Sequence, residues 1–290
     1  MTILDIKSHS LLEKVVSAIG DLPASPAIVS AVMGLTADLN SNVEELGEVL
    51  AADPGLTAKV LKLSNSSFYG RSRAVSSLRE AILILGFYTL RSIVIASSTH
   101  TLYNRRDNIQ FGQKLWDHSL ACALAARMVA RRLKHPRLEE IFIAGLLHDI
   151  GKIILGQKLQ AAYDKLVLTV EDERGEFSEA ELSALGFTHV DVGALVLQRW
   201  NFPPELVEGV RMHHAEPAKA EGGAATIAAV VRFSNGLAKQ LGVGFYSGEG
   251  RNDRLLQLSR PLELPIEAVA ELSEELAARY AEEKQLFEEY

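Results

Sequence analysis

The chain has 290 residues, 48% hydrophobic and 23% charged, which is the balance of an ordinary globular protein with one large core or up to two domains. Its net charge of −7 and pI of about 5.7 argue against nucleic acid or an anionic membrane surface as partner, because both need a clustered basic footprint. A single cysteine, Cys122, excludes an intramolecular disulfide and a CxxC zinc site.

No segment reaches the roughly 18 uninterrupted apolar residues that span a bilayer. The start, Met1 to Lys7, lacks the basic and apolar regions of a signal peptide, so the expectation is a cytoplasmic protein with no membrane span. One basic stretch, Arg127 to Arg137, reads as a solvated helix end.

Almost every segment predicts helix. Residues 10–20 carry apolar residues at helical spacing and end at Gly20. Leu22 to Pro26 is a rigid turn or a Pro-rich ligand segment, with Pro26 able to open a helix. Ser41 and Glu44 form a capping-box signal, and Asp53-Pro54 starts another helix. Ser64-Asn65-Ser66-Ser67 and Gly70 break it; with Arg71 and Arg73 this stretch is either an anion site or a polar helix terminus. Ser77 and Glu80 cap a helix running into Gly86, and residues 87–102 predict a further one. A polar stretch, Asn104 to Asn108, is the best internal boundary. Helices follow at about 113–133, 138–156, 159–171, 178–184, 189–200, 204–214 and 223–240, with Pro203-Pro204 marking a start and Pro217 following an end. Gly242, Gly244, Gly248 and Gly250 predict a flexible loop. The tail, 265–288, predicts an amphipathic helix with Ile266, Val269, Leu272, Leu276 and Tyr280 on one side. It either docks on its own domain or self-associates into a homodimer. Trp116 and Trp200 read as packing residues.

Chemistry concentrates at Gly145-Leu146-Leu147-His148-Asp149-Ile150-Gly151-Lys152. An adjacent His and Asp within an apolar helix costs desolvation unless a hydrogen bond or a cation receives the pair. Successive helical residues point about 100° apart, so the two reach one ion from two directions, or two ions with the carboxylate bridging. Gly145, one turn earlier, would leave room for an ion. Lys152 shares the side of Asp149 and either neutralises it or contacts a phosphate. A buried His–Asp hydrogen bond with a surface lysine remains the alternative. His118 lies on an apolar helix face, His189 near a helix start, and His213-His214 at a helix end, where partial negative charge favours imidazolium. Each has a plain structural explanation. Yet five of the eight histidines, with Asp149, fall on separate central helices, which is how helical folds build metal sites. Imidazole and carboxylate suit divalent Fe, Mn, Zn or Ni.

The order His118, His148-Asp149, Lys152, His189, His213-His214 resembles the metal-dependent HD phosphohydrolase superfamily, and within it the HD-GYP cyclic di-GMP phosphodiesterases. The N-terminal half resembles the narrower HDOD family, an HD-related output domain of bacterial signalling proteins. The carrying blocks are Leu22 to Pro26, Asp53 to Leu61, Asn65 to Gly70, Ala81 to Gly86, Leu185 to His189, Gly193, Trp200 and His213-His214, within residues 10–240. The resemblance implies an all-α fold: an HD-domain-like helical bundle over 108–240, an additional N-terminal helical subdomain over 1–107, and a glycine-rich loop with the amphipathic helix over 241–290. It implies a regulatory role without accepted catalysis.

Most members look degenerate at the metal positions, whereas this chain retains His118, His148, Asp149, His189, His213 and His214. Asn235 stands where HD enzymes place a late aspartate, so that ligand carries no charge. The Gly-Tyr-Pro segment of HD-GYP enzymes is missing after His214. The expectation is a bacterial signalling module holding one or two divalent ions, with Fe first by resemblance, then Mn, Zn or Ni. Signalling proteins are its partners, with room for a nucleotide ligand. The alternative is a metal-dependent phosphohydrolase acting on a nucleotide or cyclic dinucleotide, with Asp149 and Lys152 as its catalytic residues.

Overall fold

The protein is described by a computed structural model covering Val15 and residues 31–35, 38, 41–65, 75, 77–103, 109–173, 175–215, 222–245 and 252–288. Among these residues every regular element is a helix and no strand occurs. The helices are α1 (Val43–Ala51), α2 (Pro54–Ser64), α3 (Leu78–Tyr103), α4 (Ile109–Arg132), α5 (Leu138–Leu147), α6 (Ile150–Lys158), α7 (Gln160–Glu173), α8 (Phe177–Leu185), α9 (His189–Arg199), α10 (Pro204–Arg211), α11 (Gly222–Gln240), α12 (Asn252–Ser259) and α13 (Ile266–Glu288); a short 3-10 turn, Arg260–Leu262, follows α12. The helix expected at 10–20, the Leu22–Pro26 turn, Ser66, Ser67, Gly70, Arg71, Arg73, the 104–108 boundary, Pro217, Gly248 and Gly250 lie outside the described residues.

The described residues fall into two compact units. One contains most of residues 23–102 together with 274–288. In it α1 packs on α2 and buries Leu46 and Leu50. The cap of α1 is Asn42: its side chain accepts from the Glu45 N–H at 2.9 Å, and the Glu45 carboxylate accepts from the Asn42 N–H at 3.3 Å. The expected Ser41–Glu44 box is thus displaced by one residue. Asn and Ser cap about equally well, so the core-facing Leu46 and Leu50 choose the register. Asp53 accepts from the Leu56 N–H at 3.0 Å, and Ser77 accepts from the Glu80 N–H at 3.2 Å, as the sequence predicts. The helix α3 is broken at Gly86, whose φ of 77° and ψ of 164° are open to glycine. Within it, Leu78–His100 is long and apolar enough to cross a membrane (mean hydropathy 1.7), and half of that window is buried inside the protein.

The other unit holds Tyr103–Ser273 and carries the largest core. Here α4 packs against α5 and α11, α6 against α9, and α10 against α5, α9 and α11. Ala121, Cys122, Ala123, Ala125, Ala126 and Ala130 are fully buried, so α4 presents a smooth face of small side chains to its neighbours. Trp116 is fully buried edge-on to Tyr103, with ring centroids 5.5 Å apart. Arg127 is not solvated as expected: it is buried and paired with Glu139 at 2.7 Å. The helix α12 replaces part of the expected loop, because Leu255, Ser259 and Leu262 form a buried one-sided stripe. On α13, Val269, Leu272 and Leu276 are buried, whereas Ile266 is exposed rather than on the buried side.

Candidate metal centre

The His148-Asp149 pair does not lie inside a helix. It forms the turn between α5 and α6, so the predicted helix 138–156 is two helices meeting at the pair. The glycines on either side explain why. A Cβ on Gly145 would come within 3.0 Å of the Ala123 Cα and the Cys122 carbonyl, so this glycine seats α5 against α4. The room expected at Gly145 for an ion is therefore filled by α4 backbone. A Cβ on Gly151 would lie 1.9 Å from the His189 carbonyl oxygen, so only glycine lets α6 press against the start of α9. That start is fixed by Thr188, whose N–H and hydroxyl both donate to the Asp191 carboxylate, at 2.8 and 2.9 Å. His213 and His214 follow the last turn of α10, and His118 sits mid-way along α4.

These elements bring the expected residues together. The Asp149 Oδ2 lies 2.7 Å from the Lys152 Nζ, 3.2 Å from the His148 Nε2 and 3.7 Å from the His118 Nε2. The other oxygen, Oδ1, lies 3.2 Å from the His189 Nε2. Ring centroids run 5.4 Å from His118 to His148, 5.0 Å from His148 to His213, 5.7 Å from His213 to His189 and 4.1 Å from His213 to His214. Asn235 of α11 shares a cleft with His213 and His214. Lys152 is buried and its ammonium sits 4.4 Å from the centre of the Phe177 ring, so it is not the surface lysine of the alternative reading.

Three imidazoles are held from behind. The Nδ1 of His148 faces the Gly145 carbonyl at 2.7 Å, and the Nδ1 of His213 faces the Val210 carbonyl at 2.6 Å. A carbonyl only accepts, so each Nδ1 carries a proton and each Nε2 is the atom turned inward. The Nδ1 of His189 faces the Glu181 carboxylate at 2.6 Å, with the same consequence. The inward Nε2 atoms of His148 and His189 each face the Asp149 carboxylate at 3.2 Å, whereas the Nε2 atoms of His213 and His214 and the Oδ1 of Asn235 are buried with no hydrogen-bond partner.

Within the cluster burial opposes charge, and the neighbouring carboxylates decide which rings keep it. Burial pushes His118, His213 and His214 well below the usual histidine value. Burial opposes the charge on His148 too, but the adjacent Asp149 carboxylate outweighs it and raises this group to about 10. His189 is raised as well, the Glu181 carboxylate overcoming burial. Asp149 stays well below the usual carboxylate range despite burial, held there by His148 and Lys152.

Two residues escaped the sequence reading. Glu181 of α8 is fully buried; it takes the Nδ1 and the backbone N–H of His189, and the Tyr163 hydroxyl donates to it at 2.5 Å. Its signal was a glutamate in phase with Phe177 and Leu185 on the buried stripe of α8. Lys239 of α11 is buried against Glu176, and burial lowers it to about 8. Only the packing reveals it.

The donors fit a divalent ion. One ligand atom each from Asp149, His189, His213 and His214 lie within 4.8 Å of one another, and so do those of His118, His148 and Asp149.

A family model for the HDOD domain matches residues 22–216. The chain belongs to the HDOD family. A structure of an HDOD domain protein of unknown function from Geobacter sulfurreducens superposes with a TM-score of 0.76 at 25% identity, covering 96% of this chain and 99% of that one. A Shewanella amazonensis SB2B protein, named as an inferred phosphohydrolase, gives 0.75 at 25% identity, with 94% and 97% covered. A Treponema pallidum (strain Nichols) protein is 21% identical over 225 residues, 75% of this chain; the match spans 42% of that relative's length. In this chain His118, His148 and His189 lie within 3.7 Å of one buried carboxylate, with His213 and His214 beside them.

Proposed function

We propose that this HDOD chain is a cytoplasmic bacterial signalling module whose cluster holds one divalent transition-metal ion. The observation that carries this reading is the pair of buried, partnerless Nε2 atoms of His213 and His214, grouped with Asp149 and His189 closely enough to share one ion. A hydrogen-bonded core would pair them, since an unsatisfied buried polar atom costs about 1–3 kcal/mol. His189, His213, His214 and the Asp149 Oδ1 form the ligand set. Lys152 already places an ammonium on Oδ2, the oxygen that a second ion between His118 and His148 would need, so the stoichiometry proposed is one. Bound there, a divalent ion supplies Lewis acidity and lowers the pKa of water. The chain's own residues orient the imidazoles, keep water from Asp149 and hold Lys152 beside it. Signalling proteins as partners, and a second copy through α13, belong to the same proposal.

The test is elemental analysis of protein purified without chelator. About one equivalent of Fe, Mn, Zn or Ni per chain is expected, lost in Asp149→Ala and strongly reduced in His214→Ala. Protein that neither retains metal nor takes it up on loading overturns the reading. A phosphohydrolase is the second reading, favoured by the buried Lys152 ammonium beside Asp149. A panel of phosphoesters with Fe- or Mn-loaded protein separates the two: no turnover is expected, and metal-dependent turnover abolished by Asp149→Ala would replace the purely regulatory role.

A further inference from the structure

The hydroxyl and the ring of Tyr163 lead to different oxygens of Asp149. Tyr163 lies in the first turn of α7 and is fully buried. It meets the buried stripe of α8, on which Phe177 and Glu181 stand one turn apart and so reach the same neighbour. Phe111 of α4 lies edge-on to the Tyr163 ring, with centroids 5.8 Å apart. That contact depends on Gly156 of α6, where a Cβ would come within 3.1 Å of the Phe111 ring.

The first arm is a chain of hydrogen bonds. The Tyr163 hydroxyl donates to the Glu181 Oε1 at 2.5 Å, and Oε2 of the same carboxylate accepts from the Nδ1 and the backbone N–H of His189 at 2.6 and 2.7 Å. The His189 Nε2 then lies 3.2 Å from the Asp149 Oδ1. The terminal torsion of a glutamate is broad, so a carboxylate held at one oxygen still swings. A hydroxyl on its other oxygen fixes the plane, and with it the aim of the His189 ring. The second arm is aromatic. The Tyr163 ring lies within 28° of parallel to Phe177, with centroids 6.4 Å apart, and Phe245 lies edge-on to Phe177 at 5.2 Å. The face of Phe177 receives the Lys152 ammonium at 4.4 Å, and that ammonium sits 2.7 Å from the Asp149 Oδ2. A ring face attracts a cation, so the place of the ring sets the place of the charge.

We propose that Tyr163 is a positioning residue of the metal centre. Its hydroxyl, acting through Glu181, turns His189 towards the Asp149 Oδ1; its ring, acting through Phe177, keeps the Lys152 ammonium on Oδ2. The two arms divide the carboxylate, leaving one oxygen to the ion and giving the other to the lysine. The inference rests on the one-ion reading above and adds to it the residue that decides which oxygen the ion meets. Groups behind a ligating histidine contribute about 10–100-fold to metal affinity, and Tyr163, one link further out, belongs at the low end.

The test uses the full chain and two readouts: zinc affinity by competition with a chelator, and the visible absorption of cobalt(II)-substituted protein, which reports ligand geometry. Tyr163→Phe keeps the ring and removes the hydroxyl. It should lower zinc affinity about tenfold and change the cobalt spectrum at full occupancy. Combined with Glu181→Gln, the same substitution should cost nothing further, because the hydroxyl works through that carboxylate; a packing role would lower affinity by the same factor in both backgrounds. Tyr163→Leu removes the ring as well. It should lose more affinity than Tyr163→Phe, because an unseated ammonium competes with the ion for Oδ1; equal losses strike out the ring arm. Phe177→Leu, which leaves the hydroxyl in place, reads the same arm if Tyr163→Leu does not fold. A parent chain that binds one ion, with a Tyr163→Phe variant of equal affinity and spectrum or with losses at Tyr163 and Glu181 that add, overturns the proposal and leaves the metal reading standing. A parent chain that binds no ion removes both.

Discussion

Asp149 is fully buried, and its two oxygens have different neighbours: Oδ2 has an ammonium, Oδ1 only an imidazole nitrogen. That asymmetry makes His189 the pivotal member of the proposed ligand set, and Glu181 the residue that aims it. Glu181→Gln keeps the shape but removes the charge behind the ring, and metal affinity is expected to fall about 10–100-fold. A competition titration against a chelator measures it; unchanged affinity would make Glu181 a packing residue only. The histidines also predict a pH profile for metal-free protein. His118, His213 and His214 stay neutral below their ordinary value of 6.5, so as pH falls through that value the unfolded chain takes up protons that the folded chain refuses, and stability drops. His148, raised to about 10, contributes stability in full below 6.5 and loses it as pH climbs towards 10. Thermal midpoints across this range should therefore peak near 6.5, and a steady rise towards pH 10 would contradict the assignment. Metal loading displaces the proton from His148 only if that ring responds to the ion, which calorimetry in buffers of different ionisation enthalpy reads as proton release.

The helices meet at glycines. The junction of α5 and α6 works because Gly145 closes on α4 and Gly151 closes on α9, and each closure moves a histidine towards Asp149. Gly151→Ala forces a methyl group into the His189 carbonyl, and overpacking of this kind costs about 1–3 kcal/mol or more. The expected result is a thermal midpoint lowered by several degrees together with loss of bound metal; a variant that melts and binds like the parent would show that the contact relaxes freely. The start of α9 is the better-defined half of this arrangement, since the Thr188–Asp191 cap leaves the His189 N–H for Glu181. Helix periodicity foretold α4, α7, α8, α9 and α11 to within a few residues. It ran through the His148-Asp149 junction because two short helices with apolar flanks have the same pattern as one long helix. It missed α12, whose eight residues carry too few apolar positions to show a period.

For the molecule as a whole, a ligand that binds only the folded state raises its stability by mass action, about 2.7 kcal/mol at a hundredfold excess over Kd. Metal-loaded protein should accordingly melt roughly 5–10 °C above chelator-treated protein, and identical midpoints would argue against a folded-state site. The site lies wholly within the unit formed by Tyr103–Ser273, so ligand effects on stability belong to that unit. Helical class, family, the absence of a disulfide and the identity of the histidines could all be read along the chain, because periodicity, cysteine number and motif order are properties of neighbouring residues. The gathering of five rings around one carboxylate, the buried state of Lys152 and the supporting role of Glu181 could not. Those depend on which helices touch, and helices touch where glycines and alanines let backbones approach, a matter of three-dimensional contact between residues far apart in the chain.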